Sequence, residues 1–329
     1  MSMPEWLVFR GTREPHNGID RLPPPPAWRA FDGPVEPRAA ASLAWKAADL
    51  ERAVSYETAP ETLEIINAAL FLRRPLLVTG KPGVGKSSLS LAVAHELELG
   101  PVLRWPITSR SVLSDGLYRY DALSRLQDVN LPETRTDIGD YLTLGPLGTA
   151  LLPSERPRVL LVDELDKSDM DFPNDLLTVF EEGYYEIPEL QRIARIQPEV
   201  TVATADPGET ASVRSGRVQC AAFPLVVLTS NNEREFPPAF LRRCIQLHLE
   251  PPGPERLARI VAHRLGPDGA RDSQALIRRF LDLQKERDLA TDQLLNALYI
   301  SLNIGATEGP ARTKLAEQLF QQLQNTAEL

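Results

Sequence analysis

Residues 75–88 read PLLVTGKPGVGKSS, and the fold turns on this stretch. Pro75–Thr79 is a short, fully apolar run that ends in glycine, which marks a buried strand rather than one face of a helix. Gly80-Lys81-Pro82-Gly83-Val84-Gly85-Lys86-Ser87 then satisfies G-x-x-x-x-G-K-[ST]. Its glycines let the backbone wrap a phosphate chain with N–H groups pointing inward, and the helix that follows adds its N-terminal dipole. Lys86 is spaced to reach the outer phosphates and the Ser87 hydroxyl to ligate Mg²⁺. The candidate nucleotide-binding residues are therefore Gly80, Pro82, Gly83, Val84, Gly85, Lys86, Ser87 and Ser88.

Outward from this loop, helix and strand alternate. Ser87–Leu97 has a buried stripe of Leu89, Ala92, Val93 and Leu97, and Glu61–Leu72 one of Leu63, Ile66, Ala69 and Leu70. Further buried-type strands are expected at Val102–Ile107, Arg158–Val162, Leu225–Leu228 and Ile245–Leu249, with helices such as Asp171–Glu182 between them. Continuous apolar strands alternating with helices imply an α/β fold, a five-stranded parallel sheet covered on both faces. After Pro251-Pro252-Gly253 the pattern turns purely helical, through Pro254–Leu265, Ser273–Glu286, Thr291–Ile300 and Ala311–Gln324. Residues 1–58 read instead as an arm, in which Leu22-Pro23-Pro24-Pro25-Pro26-Ala27-Trp28 favours polyproline II. Trp6, Phe9, Trp28 and Phe31 are too apolar for an idle linker, so the arm is expected to pack on its own domain or on a neighbouring subunit. The expected division is arm 1–58, α/β domain 59–250 and helical domain 251–329.

A second apolar strand ends in acids: Val159-Leu160-Leu161-Val162-Asp163-Glu164. Beside a phosphate loop, the first acid is placed to hold Mg²⁺ and the second to polarise an attacking water. Asp163 and Ser87 are thus the candidate metal ligands, and Glu164 the candidate base.

Bulk properties bound the rest. At 329 residues the chain exceeds one ordinary core, which agrees with a large domain plus a smaller one. No apolar run is long enough to span a bilayer, and with neither a basic n-region nor an apolar h-region at the start no secretory signal is expected. Two cysteines, Cys220 and Cys244, form neither a disulfide framework nor a metal spacing, so a reducing cytoplasm is the expected location. A net charge of −9 disfavours a broad nucleic-acid surface, although Arg104, Arg110, Arg119 and Arg125 lie close in sequence.

The ordered motifs resemble the AAA+ superfamily and, within it, the MoxR-like ATPases. PLLVTGKPGVGKSS is similar to their Walker A region and residues 160–167, LLVDELDK, to Walker B. Residues 144–147, LGPL, and 174–183, NDLLTVFEEG, resemble a Gly-Pro element and a following helix. Residues 227–232, VLTSNN, resemble a sensor-1 strand, which puts the polar sensor at Asn231. Residues 238–244, PAFLRRC, resemble the element carrying an arginine finger, at Arg243 with Arg242 in reserve. The resemblance implies catalytic roles for Lys86, Glu164, Asn231 and Arg243, with ATP and Mg²⁺ bound between subunits of a ring, a hexamer in the relatives. It further implies an all-helical lid and chaperone-like remodelling of a client protein, often with a separately encoded von Willebrand A-domain partner.

Two departures stand out. Gln293 occupies the place of a sensor-2 arginine, with Arg312 as the alternative. Residues 184–223 hold β-like runs, Val200–Val202 and Arg217–Cys220, around Asp206-Pro207-Gly208, and are expected to form an inserted hairpin. Two other functions fit the motifs: a McrB-like nucleotide-driven motor of a nucleic-acid restriction system, and a nucleotide switch that barely hydrolyses.

Overall fold

Along the apolar runs, alternate side chains enter two separate cores, as the two-residue period of a strand with both faces covered requires. Leu77, Leu160, Val162, Val226 and Leu228 pack into one cluster; Leu76, Val78, Val159, Leu161, Leu225 and Val227 pack into the other. The computed structural model describes residues 4–36, 40–129, 137–272, 274–286 and 291–303. Among them eleven strands form: β1 (Leu76–Thr79), β2 (Leu103–Pro106), β3 (Tyr118–Tyr120), β4 (Leu142–Leu144), β5 (Val159–Asp163), β6 (Tyr184–Glu186), β7 (Glu199–Ala203), β8 (Thr210–Arg214), β9 (Arg217–Gln219), β10 (Leu225–Ser230) and β11 (Ile245–His248).

Five of them make a parallel sheet in the order β11-β1-β10-β5-β2. Strand β10 therefore lies between β1 and β5, in register Val78↔Thr229 on one side and Leu228↔Val162 on the other. All five C-terminal ends meet one edge of the sheet, the edge at which open α/β sheets bind ligands. Helices Pro60–Leu72 and Lys86–Glu96 contribute to the core on one face, and Phe172–Glu182 to that on the other.

A second sheet, six strands in the order β3-β4-β7-β8-β9-β6, was not expected from the sequence. The expected hairpin is present but differently paired. Strand β7 pairs antiparallel with β8, whose Val213 faces Val200, and not with the run at 217–220. That run is β9, which turns back from β8 through Ser215 (φ 51°) and Gly216 (φ 68°) and pairs with β6. Two consecutive positive φ angles are what a tight hairpin turn needs, and Ser-Gly supplies the glycine. A buried two-pronged pair, Arg158 to Asp206 at 2.7 and 2.9 Å, ties the β7–β8 turn to the start of β5.

The described part of the arm docks on the same chain. Leu7, Val8, Phe9 and Ile19 enter the core beside Ile66 and Leu70. Buried Asn67 accepts the Val8 and Phe9 N–H groups at 2.7 and 2.9 Å and donates to the Phe9 and Leu63 carbonyls at 2.8 Å each. The Glu96 carboxylate, 1% exposed, accepts the N–H groups of Arg10, Gly11 and Arg13 at 2.6, 3.1 and 3.0 Å.

Helices Pro254–Asp272, Gln274–Glu286 and Thr291–Asn303 share a small core of their own that includes Leu257, Phe280 and Leu298. The first runs past the boundary expected at Leu265, because an internal proline removes one helix hydrogen bond without having to end the helix. The expected helix Ala311–Gln324, and Arg312 with it, lie outside the described residues. No helix among those described is long and apolar enough to cross a membrane.

Candidate functional site

The loop after β1 is shaped by what its glycines avoid. Gly80 sits at φ 145°, and a Cβ there would stand 2.5 Å from the Leu249 carbonyl oxygen. Gly85, at φ 96°, would meet the Tyr56 ring at 2.9 Å. Both positions pair a left-handed backbone with a close neighbour, so glycine alone fits. The loop then enters the helix Lys86–Glu96, whose first N–H groups have no intrahelical partner. A cleft of about 500 Å³ opens over this helix start. It is lined by Pro82 through Ser88, by Asp163, Glu164, Thr229 and Asn231, by Arg52, Ser55, Tyr56 and Glu57 of the arm, and by Pro252, Arg256, Ile260 and Leu295.

Lys86 is the hub. Its ammonium donates to the carbonyls of Gly80 and Lys81 at 2.7 and 3.0 Å and to Asn231 Oδ1 at 2.7 Å. Burial lowers its pKa, while Asp166, Asp163, Glu164 and Glu233 pull it back up. One residue on, the Ser87 hydroxyl donates to Asp163 Oδ1 at 2.9 Å. That oxygen also accepts the Thr229 hydroxyl at 2.6 Å, and Thr229 Oγ1 in turn accepts the Glu164 N–H at 2.9 Å. Glu164 adopts a left-handed conformation (φ 61°, ψ 48°), which ends β5 and separates the two acids. Its carboxylate pairs with Lys167 at 2.8 Å on the open side of the cleft. Asp166 Oδ2 accepts the N–H groups of Asn231 and Glu233 at 2.7 and 3.3 Å, fixing the loop that follows β10.

The structure thus brings Pro82, Gly83, Val84, Gly85, Lys86, Ser87, Ser88, Asp163, Glu164 and Asn231 around one space. Two candidates stand outside that space. Gly80 does not line the cleft; its carbonyl holds Lys86 and its missing side chain lets the β11 end approach. Arg243 lies at the other end of the domain, bonded to Glu181 and to the Ala239 carbonyl. Among the described residues of the C-terminal helices, Arg256 lines the cleft and Gln293 does not. Arg256 donates to the Glu57 carbonyl and lies 5.8 Å from the Tyr56 ring centre, and its Nε is buried without a protein partner.

Sequence reasoning missed Thr229, Asp166, Lys167, Tyr56 and Arg256. For Asp166 a signal existed: it is an acid three residues past the end of an apolar strand, where a buried hydrogen-bonding group needs a partner. For Tyr56 and Arg256 there was none, since their position depends on how the arm and the C-terminal helices fold back.

Comparison with known proteins adds the following. A family model described as the AAA domain, dynein-related subfamily, matches residues 75–280. No curated protein matches. Among solved structures, a candidate ATPase from Cytophaga hutchinsonii aligns at 15% identity with a TM-score of 0.38, over 67% of this chain and 55% of that one. NtrX from Brucella abortus, solved in complex with ADP, aligns at 12% identity with a TM-score of 0.36, over 82% of this chain and 52% of that one. The chain spans about half the length of these two structures.

Proposed function

The chain belongs to the AAA domain family, dynein-related subfamily, and from that membership we propose that it is an ATP hydrolase of the MoxR-like kind. The observation carrying this reading is the convergence of Lys86, Ser87, Asp163 and Asn231, drawn from three strand ends, within hydrogen-bond distance in one cleft. The cleft volume of about 500 Å³ is in the range of small-molecule sites, about 300–1,000 Å³.

Each group has a task in phosphoryl transfer, which depends on positioning and charge neutralisation. The loop amides and the Lys86 ammonium take the phosphates, exchanging the carbonyl contacts that now hold Lys86. Ser87 and Asp163 present paired oxygen donors, a set suited to Mg²⁺ that shares its shell with phosphates and water. When bound there, Mg²⁺ supplies positive charge against the phosphate oxygens. Asn231 orients the attacking water and Glu164 accepts its proton. Tyr56, Ile260 and Leu295 offer apolar surface to the base, and the partnerless Arg256 Nε is a donor for the phosphate side.

Arg243 completes the site from a neighbouring copy, because it cannot reach the cleft of its own chain while bonded to Glu181. Hydrolysis then requires a ring, a hexamer on the family pattern. The helices after Pro251 act as a lid over the nucleotide, and their movement remodels a client protein, with a von Willebrand A-domain protein as the expected partner. The test is Glu164→Gln, compared with the wild type in nucleotide titration and single-turnover hydrolysis. Binding should be unchanged and turnover should fall by about 10²–10⁴, the usual worth of a positioned base. Undiminished turnover would remove Glu164 from the role and the reading with it.

A further inference from the structure

Two features at opposite ends of the helix Phe172–Glu182 complement each other. At its start, Asp169-Met170-Asp171 presents a methionine that is 71% exposed between two exposed aspartates. The base of this loop is held: Ser168 is buried, its hydroxyl donates to the Leu165 and Asp169 carbonyls at 2.8 and 3.0 Å, and Arg234 donates to it at 2.9 Å. The tip is therefore a pre-formed projection.

At the other end of the helix is a recess of about 260 Å³, lined by Trp28, Arg29, Arg74, Phe180, Glu181 and Arg243 among others. Three of those six are arginines and one is acidic. Trp28 is 77% exposed, an unusual state for the largest apolar side chain, and the chain on either side of it is held: Arg73 donates to the Pro23 carbonyl at 2.6 Å, and the Gly33 N–H to the Cys220 carbonyl at 3.2 Å. Arg29 lies 5.1 and 4.9 Å from the ring centres of Phe31 and Phe223, which themselves stack at 5.0 Å, and donates to the Arg73 carbonyl. Tryptophan and arginine are among the residues enriched at the energetic centres of protein interfaces.

We propose that the Asp169-Met170-Asp171 projection of one copy docks into the Trp28–Arg29–Arg74 part of this recess on the next, beside Arg243. The thioether packs on the indole, a favourable sulfur–aromatic contact, while the aspartates meet the arginines. A chain cannot make this contact with itself. The 11 residues of the intervening helix span about 16 Å at 1.5 Å per residue, so projection and recess face different neighbours. Such a head-to-tail contact propagates from copy to copy and closes into a ring when the rotation permits. The inference rests on the reading of Arg243 as a residue that serves the neighbouring cleft, and it gives the arm a place in that interface.

The test crosslinks Trp28→Cys and Met170→Cys chains with a bismaleimide shorter than the helix, in the presence of ATP and Mg²⁺, with particle size measured in parallel. Both positions are exposed, so each variant should keep the wild-type fold, checked by circular dichroism. The wild type, whose Cys220 and Cys244 are buried, sets the background. A covalent dimer in the mixture but in neither variant alone, and a ladder of larger species from the double variant, is the expected result. If assemblies form with nucleotide but no mixed dimer appears, this contact is wrong and the reading of Arg243 survives. If the wild type itself forms no assembly under any nucleotide condition, both fall.

Discussion

Thr229→Val tests how the acidic strand end is held. Thr229 is 1% exposed on β10, and its hydroxyl does two things at once: it donates to Asp163 Oδ1 at 2.6 Å and accepts the Glu164 N–H at 2.9 Å. Valine keeps the shape and loses both. The bond to a carboxylate is worth about 1.5–3 kcal/mol, and the Glu164 N–H left without a partner costs about 1–3 kcal/mol more. Glu164 is also the residue held left-handed, a conformation costing a non-glycine residue about 1–2 kcal/mol, so it relaxes once that bond is gone. If only the carboxylate bond counts in the transition state, 1.36 kcal/mol per decade turns 1.5–3 kcal/mol into about a 10- to 150-fold loss of turnover. Nucleotide affinity, carried by the loop and Lys86, should change far less. Steady-state ATP hydrolysis and fluorescent-nucleotide titration measure the two separately, with thermal unfolding to show that the fold persists. Thr229→Ser, which keeps the hydroxyl, should retain most of the activity. Wild-type turnover in Thr229→Val, or a Thr229→Ser variant as impaired as the valine, would refute the reasoning.

Two further outcomes are expected. Burial holds the Lys86 pKa below its ordinary 10.5 in the free protein. A triphosphate favours the charged form, so binding takes up protons at alkaline pH, and affinity is full at neutral pH and lost as pH rises through the lowered pKa. Calorimetric titration across the alkaline range in buffers of different ionisation enthalpy should show that uptake, and identical heats throughout would count against it. Asn67→Ala strands three backbone groups of the arm, the Val8 and Phe9 N–H and the Phe9 carbonyl, each orphan costing about 1–3 kcal/mol when it stays buried. The arm should therefore detach, which limited proteolysis would report as early cleavage among residues 4–36, and an equally protected arm would contradict it.

The parts of the site legible in the sequence are those whose geometry is local. Gly80 to Ser87 is a single run in which spacing sets the loop, and Asp163 and Glu164 follow an apolar run whose end is visible in composition alone. Thr229 was not legible as functional, because a threonine inside Leu225–Ser230 is an ordinary β-branched strand residue until the acid across the ladder is known. The second sheet escaped for a related reason. β3, β4, β6 and β9 are three residues each, too short for a two-residue period to register, and they are held by partners up to dozens of residues away. The docking of the arm was left open because Trp6, Phe9 and Phe31 announce burial without saying against what. Asn67 and Glu96, which settle it, sit on helices where a polar residue reads as surface.

By itself, then, the amino-acid order determined a phosphate-binding loop between a buried strand and a helix, and a second strand ending in paired acids, since covalent spacing and short-range sterics suffice for both. Tertiary structure decided that these ends meet. β10 inserts between β1 and β5, and only that strand order carries Asn231 across 145 residues of chain to within 2.7 Å of Lys86 and lets Thr229 bridge Asp163 to Glu164. Strand order is settled by which apolar faces bury best against one another over the whole domain, a sum of many weak contacts that no single segment contains.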